Sequence, residues 1–416
     1  MQTLAQLRAG SLKGSTHLAL SEALTSFPEE IFDLADTLKL LDLSHNLLSE
    51  LPDLKRLKRL QIAFFSYNRF VTLPTFKGCD NLTMLGFKGN QIETFDEDIL
   101  PHGINWLILT DNRLVSLPRS IGKLTKLQKF PLAGNRLKIL PEEMAACRNL
   151  ELLRLSANNL QEIPAWLFNL PKLSWLAFSG NPCSKTQNFP LREIAYETLE
   201  VKEKLGSGAS GDIFRAYSTS HHEEVALKLF KGSITSDGYA HDEINACISV
   251  GEHPNLIKVL SKLAGDERLG LLLEYIPEVY RNLGLPPDFE TCTRDTFSKE
   301  TSFTPETIYA VAKGIASAAA HLHARGLMHG DLYAHNILIN DDDHCYLGDF
   351  GAASFYESHE KAFERIEVRA FGCLIEDMLS LCPTKEGSIY TILEKLREQC
   401  MNDKVEERPL FREMVF

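Results

Sequence analysis

No run of apolar residues in this 416-residue chain approaches the roughly 18 that a membrane-spanning helix needs. The first twenty residues hold no compact apolar block followed by a small-residue cleavage site, so neither a membrane span nor secretion is expected. A basic excess is missing as well: 44 Lys and Arg stand against 56 Asp and Glu, a formal charge of −12. Nucleic acid is therefore an unfavourable partner, because a phosphate backbone demands a cationic surface. The nine cysteines (Cys79, Cys147, Cys183, Cys247, Cys292, Cys345, Cys373, Cys382 and Cys400) form no CxxC pair and are odd in number. That pattern belongs to reduced thiols and a cytoplasmic location, not to a disulfide framework. His321, His323, His329 and His335 lack a zinc-ligand spacing. Apolar residues at 44% and charged residues at 24% give the balance of a folded globular chain, long enough for two to four domains.

What is present first is a repeat. Asparagines recur at 46, 68, 90, 112, 135, 158 and 181, spaced by 22 residues and then by 23. Before Asn158 stand Leu150, Leu153 and Leu155, with Leu160 after it, giving LxxLxLxxNxL. Leu82, Leu85, Phe87, Asn90 and Ile92 repeat the pattern, as do Ile104, Leu107, Leu109, Asn112 and Leu114, and then Leu127, Phe130, Leu132, Asn135 and Leu137. The inward leucines build one continuous core, and each Asn can satisfy backbone groups where the chain turns. Pro52, Pro74, Pro118, Pro141 and Pro164 follow the strands and favour a turn or a short helix start.

Residues 15–183 thus resemble the leucine-rich repeat family, which implies a curved solenoid with a parallel sheet on its concave side, a shape that usually binds proteins. Residues six and four before each Asn face that side, and in the middle units these are Ile62, Phe64, Met84, Trp106 and Ile108. Such an apolar patch is expected to be covered, by a protein partner or by the rest of this chain. Lys129, Arg154 and Trp175 continue it as a mixed rim. The bland alternative is that the solenoid only caps and stabilises a second domain.

After Asn181 the repeat stops. Residues 184–197 have a linker's composition, and the charge changes: residues 1–190 carry 21 Lys and Arg against 18 Asp and Glu, the remainder 23 against 38. A strand over 201–205 leads into Gly206, Ser207, Gly208, Ala209, Ser210 and Gly211, and strand character resumes at Ile213 and Phe214. A glycine turn between two strands can lie over phosphates; a dinucleotide-binding turn would instead open a helix. Then come Val225-Ala226-Leu227-Lys228, His329-Gly330-Asp331-Leu332 with Asn336, and Asp349-Phe350-Gly351. In this order the motifs of residues 198–416 resemble the eukaryotic-type protein kinase family. The expected architecture is an α/β solenoid over 1–183, a linker over 184–197 and a two-lobed α+β protein-kinase-like domain over 198–416.

The resemblance implies ATP and Mg2+ as cofactors and a protein hydroxyl as acceptor, with serine or threonine favoured. Lys228 matches the phosphate-binding lysine, to be oriented by Glu243 or its rival Asp242. Asp331 matches the catalytic aspartate, and Asn336 and Asp349 match the metal ligands, whose oxygens suit a hard cation. Ile213, Ala226 and Leu338 would sandwich the adenine, with Glu274 and Ile276 in the interlobe hinge. Cys247, Val259, His329 and Phe350 would form the inter-lobe apolar stack.

Three departures from the family pattern stand out. Gly330 replaces the usual arginine before the catalytic aspartate, removing the group that commonly receives an activation-segment phosphate. Tyr333 stands where serine/threonine kinases typically carry lysine. Glu367-Val368-Arg369-Ala370-Phe371-Gly372 looks like the family's DxWxxG helix start, yet begins only 18 residues after Asp349, with no APE tripeptide between. Glu364 is the candidate substitute partner for Arg408. Ser354, Tyr356 and Ser358 are the candidate acceptors in this abbreviated segment. A short segment with this motif is also similar to small-molecule kinases of the aminoglycoside and choline type, and a catalytically silent scaffold is the third alternative.

Overall fold

A computed structural model describes residues 2–185, 190–208, 210–232, 237–265 and 268–416. The chain divides into two compact units, Met1–Lys172 and Leu173–Phe416.

The first unit opens with a short helix, α1 (Leu4–Arg8), capped reciprocally by Thr3 and Gln6. Seven three-residue strands follow: β1 (His17–Ala19), β2 (Leu40–Asp42), β3 (Ile62–Phe64), β4 (Met84–Gly86), β5 (Trp106–Ile108), β6 (Lys129–Pro131) and β7 (Leu152–Arg154). Each pairs in parallel with the next. Leu41, Ala63, Leu85, Leu107, Phe130 and Leu153 point inward and are fully buried. Pro118, Pro141 and Pro164 each directly precede a 3-10 helix, where a fixed φ suits the first turn and no amide is needed.

The Asn ladder satisfies what the turns leave unpaired. Asn112 accepts the amide of Ile92 at 3.0 Å and donates to the carbonyls of Phe87, Leu109 and Thr110 at 2.9 to 3.2 Å. Asn135 and Asn158 repeat the arrangement one and two units on. The residue before each ladder Asn turns left-handed, as at His45, Tyr67, Asp111 and Ala157. An asparagine that pins both limbs of such a turn holds an otherwise unfavourable conformation.

On the concave face Ile62, Phe64, Trp106 and Ile108 are half-buried and Met84 is buried. The Lys129 ammonium lies 4.0 Å over the Trp106 ring. Arg154 is buried as well, which removes it from the expected rim.

The second unit begins inside the repeat pattern, with β8 (Trp175–Ala177). β9 (Glu193–Ile194), β10 (Leu199–Ser207), β11 (Gly211–Ser218) and β12 (Glu223–Phe230) precede helix α2 (Ala240–Ser249), and β13 (Val259–Leu263) and β14 (Gly270–Glu274) follow it. These strands order as β10-β11-β12-β14-β13-β9. β9 pairs in parallel with β13, bringing Ile194 into the sheet's core beside Leu199, Val225, Leu227 and Leu272.

The second lobe holds β15 (Arg281–Asn282), α3 (Pro305–Ala324), β16 (Leu327–Met328), β17 (Ile337–Ile339), β18 (Cys345–Leu347), β19 (Ser354–Phe355), α4 (Lys361–Ser380) and α5 (Ser388–Cys400). Thr304 caps α3 by accepting the amide of Thr307, Pro305 fills its first position, and Ile308, Val311, Ala312, Ile315, Ala319 and Leu322 form its buried stripe. α4 starts at Lys361, so Glu367 lies in its second turn instead of opening the helix as the sequence pattern suggests. Among the described residues no helix is long and apolar enough to cross a membrane.

Replacing Asn112 with Ala strands buried backbone groups on two neighbouring turns and should cost about 2 to 4 kcal/mol, read as a shift in the urea unfolding curve. An unchanged curve would show that the ladder is dispensable.

Candidate active site

The glycine turn is set by close backbone approach. A Cβ on Gly211 would stand 2.5 Å from the Leu229 carbonyl oxygen on β12, so no larger residue fits there without movement. Gly206 and Ser207 end β10, the Gly208 amide donates to the Gly211 carbonyl at 2.8 Å, and Ser210 is buried. Ala209 lies outside the described residues. Asp212, which the motif did not single out, accepts the Ser207 hydroxyl at 2.6 Å and pairs with Lys204 and Lys231, both at 2.9 Å. The Ser207 hydrogen bond and the two lysines hold its carboxyl well below the usual range. Lys231 also donates to the Gly208 carbonyl, which places a cation at the turn.

On the neighbouring strand β12 carries Lys228, α2 carries Glu243, and the two side chains form a buried ion pair. Glu243, not Asp242, is therefore the partner. The Lys228 ammonium also lies 3.9 Å from Asp349 Oδ1. Burial works against the lysine's charge, yet the carboxylates of Asp349 and Glu243 raise its affinity for the proton. Burial likewise pushes Glu243 up to about 7, with Lys228 opposing. Asp349 feels desolvation too, but Lys228 and the Gly351 amide, 3.2 Å from Oδ1, keep it below the ordinary carboxylate value. Its backbone is left-handed (φ 57°), and about half of its side chain remains exposed.

The loop that carries Asp331 hangs from one buried carboxylate. Glu367 on α4 accepts the amides of His329 at 3.1 Å and Gly330 at 2.6 Å and pairs with His323 Nε2 at 2.8 Å. His329 in turn accepts the Asp331 amide at Nδ1, 3.2 Å, so its Nε2 carries the hydrogen and donates to the Gly348 carbonyl at 2.9 Å. The ring is fully buried and packs 4.9 Å from Phe350, while Cys247 is buried and Val259 only partly. Asn336 donates through Nδ2 to both the Asp331 carbonyl and Oδ2 at 2.9 Å. A further pair escaped the motif reading: Asp295 accepts the Ala334 amide at 2.5 Å and binds His335 Nδ1 at 2.6 Å. Burial opposes a charge on His335, but Asp295 raises its pKa above the ordinary histidine value. Asp295 is remote in sequence from every motif, so no local signal marked it.

Of the expected adenine-lining residues, Ile213 lies across from Gly206 and Lys228, and Ala226 across from Leu273. Glu274 ends β14 and accepts the Lys258 amide at 2.6 Å, with Ile276 two residues beyond the strand. Leu338 sits on β17, between β15 and β18.

The departures have structural causes. Gly330 is left-handed (φ 75°), and a Cβ there would meet the carbonyl oxygens of Ala352 at 2.6 Å and Leu176 at 2.7 Å. An arginine is excluded by backbone on two sides. Tyr333 is buried, its ring stacked on Trp175, so Trp175 belongs to this unit's core and not to a solvent-facing rim. In the short segment Ser354 and Tyr356 are buried and hydrogen-bonded, Tyr356 to His323 at 2.8 Å, while Ser358 is exposed. Glu364 accepts the Phe411 amide at 3.0 Å, whereas Arg408 donates to the carbonyls of Asn402 and Arg365.

A glycine turn, a buried lysine–carboxylate pair and an aspartate loop held by Asn336 lie in one compact unit, a set of groups that phosphoryl-transfer sites use. The family comparison agrees. Residues 199–372 match the protein kinase domain and residues 102–160 the leucine rich repeat. The chain therefore carries leucine-rich repeats followed by a protein kinase domain. It is similar to Aurora/IPL1-related protein kinase 2 of Caenorhabditis elegans, 28% identical over 180 residues, 41% of this chain and 53% of that one. It is also similar to the serine/threonine-protein kinase PITSLRE of Drosophila melanogaster, 23% identical over 218 residues, covering 46% of this chain and 22% of the relative. The alpha subunit of the CTD kinase of Schizosaccharomyces pombe is 26% identical over 183 residues, covering 44% and 28%. The matches thus span from about a fifth to a half of the length of these relatives. Among solved structures, an LRR protein of Leptospira interrogans is 31% identical, with a TM-score of 0.39, covering 42% of this chain and 46% of that one.

Gly330→Arg should not restore a missing arginine. It forces a side chain into left-handed backbone against two carbonyls and should lower stability by about 2 kcal/mol or more, seen as a depressed melting temperature. A variant as stable as wild type would show that the loop has room.

Proposed function

We propose that this protein is an ATP-dependent protein serine/threonine kinase. The observation that carries the reading is the Lys228 ammonium, buried between the carboxylates of Glu243 and Asp349 on the strand next to a glycine turn. A fixed cation at that position meets nucleotide phosphates, and Glu243 holds it in place. Gly206, Ser207, Gly208, Ala209, Ser210 and Gly211 cover the phosphates in this reading. Ile213, Ala226 and Leu338 line the adenine, and Glu274 and Ile276 meet it at the hinge.

The donor set fits magnesium. Asn336 spends its NH2 group on Asp331 and so turns its amide oxygen away from that bond, and Asp349 is a half-exposed carboxylate held ionised. Bound there, the metal would neutralise phosphate charge. Asp331, fixed by Asn336 and by His329 through its own amide, orients the acceptor hydroxyl and takes its proton. In this reading the sequence motifs assign 1–183 to the repeats, 184–197 to a linker and 198–416 to the kinase, while the compact unit that holds the kinase motifs already begins at Leu173. The concave side, with Ile62, Phe64, Met84, Trp106 and Ile108, is the surface we assign to a protein partner. All nine cysteines are free thiols, which supports a cytoplasmic location.

Incubation with Mg-ATP should label the protein itself or a generic protein substrate on serine or threonine, with sites read by mass spectrometry. Lys228→Met, Asp331→Asn and Asp349→Asn should each lower the rate by on the order of a hundredfold or more, the two aspartate variants with little change in melting and Lys228→Met with a lower melting temperature because it leaves buried Glu243 without its partner. ATP consumption only when a small metabolite is added would replace this reading with a small-molecule kinase. Because Ser354 and Tyr356 are buried, Ser358 is the accessible acceptor of the segment, and Ser358→Ala should keep its rate within a few-fold of wild type. A large loss rescued by Ser358→Glu would show phosphate-dependent control.

A further inference from the structure

We infer that the last repeat strand, β8, is part of the catalytic apparatus: it clamps the Asp331 loop to the Asp349 segment, with Trp175 as the positioning residue. The inference rests on the phosphotransfer reading above and deepens it.

The strand touches both sides of the site. The Trp175 side chain is 1% exposed, and its indole lies flat on Tyr333 with ring centroids 4.4 Å apart and planes 5° from parallel. Its Nε1–H donates to the carbonyl of Leu332, the residue next to Asp331, at 3.0 Å. One residue on, the Leu176 carbonyl closes against Gly330 on the other flank of Asp331. At the far end of the strand, the amides of Phe178 and Ser179 donate to Ser354 Oγ at 2.8 and 3.1 Å, and Ser354 passes its hydrogen to the Ala352 carbonyl at 3.3 Å. Ala352 lies three residues past Asp349. Phe178 stacks on Phe363 of α4 at 5.0 Å, and Arg369 of the same helix donates to Ser174 Oγ at 3.1 Å.

This is more than incidental packing, because β8 departs from the repeat where it meets the site. Leu132 holds the same repeat position as Phe178, three before the ladder Asn, and its amide donates to Arg154 of the following strand. At Phe178 a serine hydroxyl from the Asp349 segment takes that place. An edge amide that a further strand would satisfy is instead used to hold the segment. The three departures from the kinase pattern fit the same clamp. Gly330 makes room for the strand's carbonyl, Tyr333 offers a flat platform to the indole, and the segment is short because Ser354 is anchored at once. Ser354 is fully buried and accepts two amides, so a phosphate cannot be added there while β8 is seated. The strand supplies as fixed structure the ordering that a phosphorylated segment supplies elsewhere.

The test uses the full chain and compares wild type with Trp175→Phe, which keeps a ring on Tyr333 and loses the N–H, and Ser354→Ala, which removes the hydroxyl acceptor. In each variant kcat for Mg-ATP-dependent phosphorylation should fall about tenfold or more while the KM for ATP stays within about twofold, the signature of lost positioning and not of lost nucleotide binding. Hydrogen exchange should rise at the amides of Gly330–Leu332 and of Ala352–Phe355 in both variants. A kcat within twofold of wild type with unchanged exchange would overturn the clamp. So would a loss that only tracks a fall in melting temperature. If wild type itself transfers no phosphate, the kinase reading fails, and exchange at the two stretches still decides whether β8 holds them together.

Discussion

The Glu367 carboxylate is fully buried, and so it needs compensating groups: it accepts two consecutive amides of the loop that carries Asp331, and His323 Nε2 lies 2.8 Å away. Those amides belong to His329 and Gly330. His329 then links the amide of Asp331 to the carbonyl of Gly348, the residue before Asp349. One carboxylate on α4 therefore fixes, through a single imidazole, the two aspartates on which phosphoryl transfer would turn. A shift at Glu367 propagates to both. The pattern that introduced this residue as a substituted helix-start aspartate was informative about its task and misleading about the helix, which begins six residues earlier.

The same physics runs through the repeats. Each ladder Asn is a buried amide that exists because the turns around it leave backbone groups unpaired, and its donors and acceptors are all used. In both units the backbone turns left-handed at particular residues, His45, Asp111 and Gly330 among them, and a buried polar side chain stands next to each, Asn46, Asn112 and His329. Within the second unit these two devices join at β8: Gly330 turns against the Leu176 carbonyl, and Ser354 takes the amides at the end of the strand.

Much of this was legible because it is local or periodic. The 22- and 23-residue Asn spacing revealed the repeats, since one residue type at one turn serves the same backbone groups each time. Lys228, Asp331, Asn336 and Asp349 lie in short motifs whose order is diagnostic, and the structure brings Lys228 to Asp349, and Asn336 to Asp331. Glu243 was separable from Asp242 only by geometry, because neighbouring helical residues point in different directions and only one of them meets β12.

By itself the sequence determined the two halves of the chain, the order of the kinase-like motifs and the absence of an arginine before Asp331. What it could not decide was why that arginine is gone. Gly330, Tyr333 and Trp175 are 3 to 158 residues apart, and only folding puts a repeat carbonyl and an indole against the catalytic loop. Asp295 beside His335 and Ser354 beneath Phe178 are decided in the same way. A contact between residues distant in the chain leaves no periodic trace in either segment, because each partner's identity is set by a surface supplied by the other.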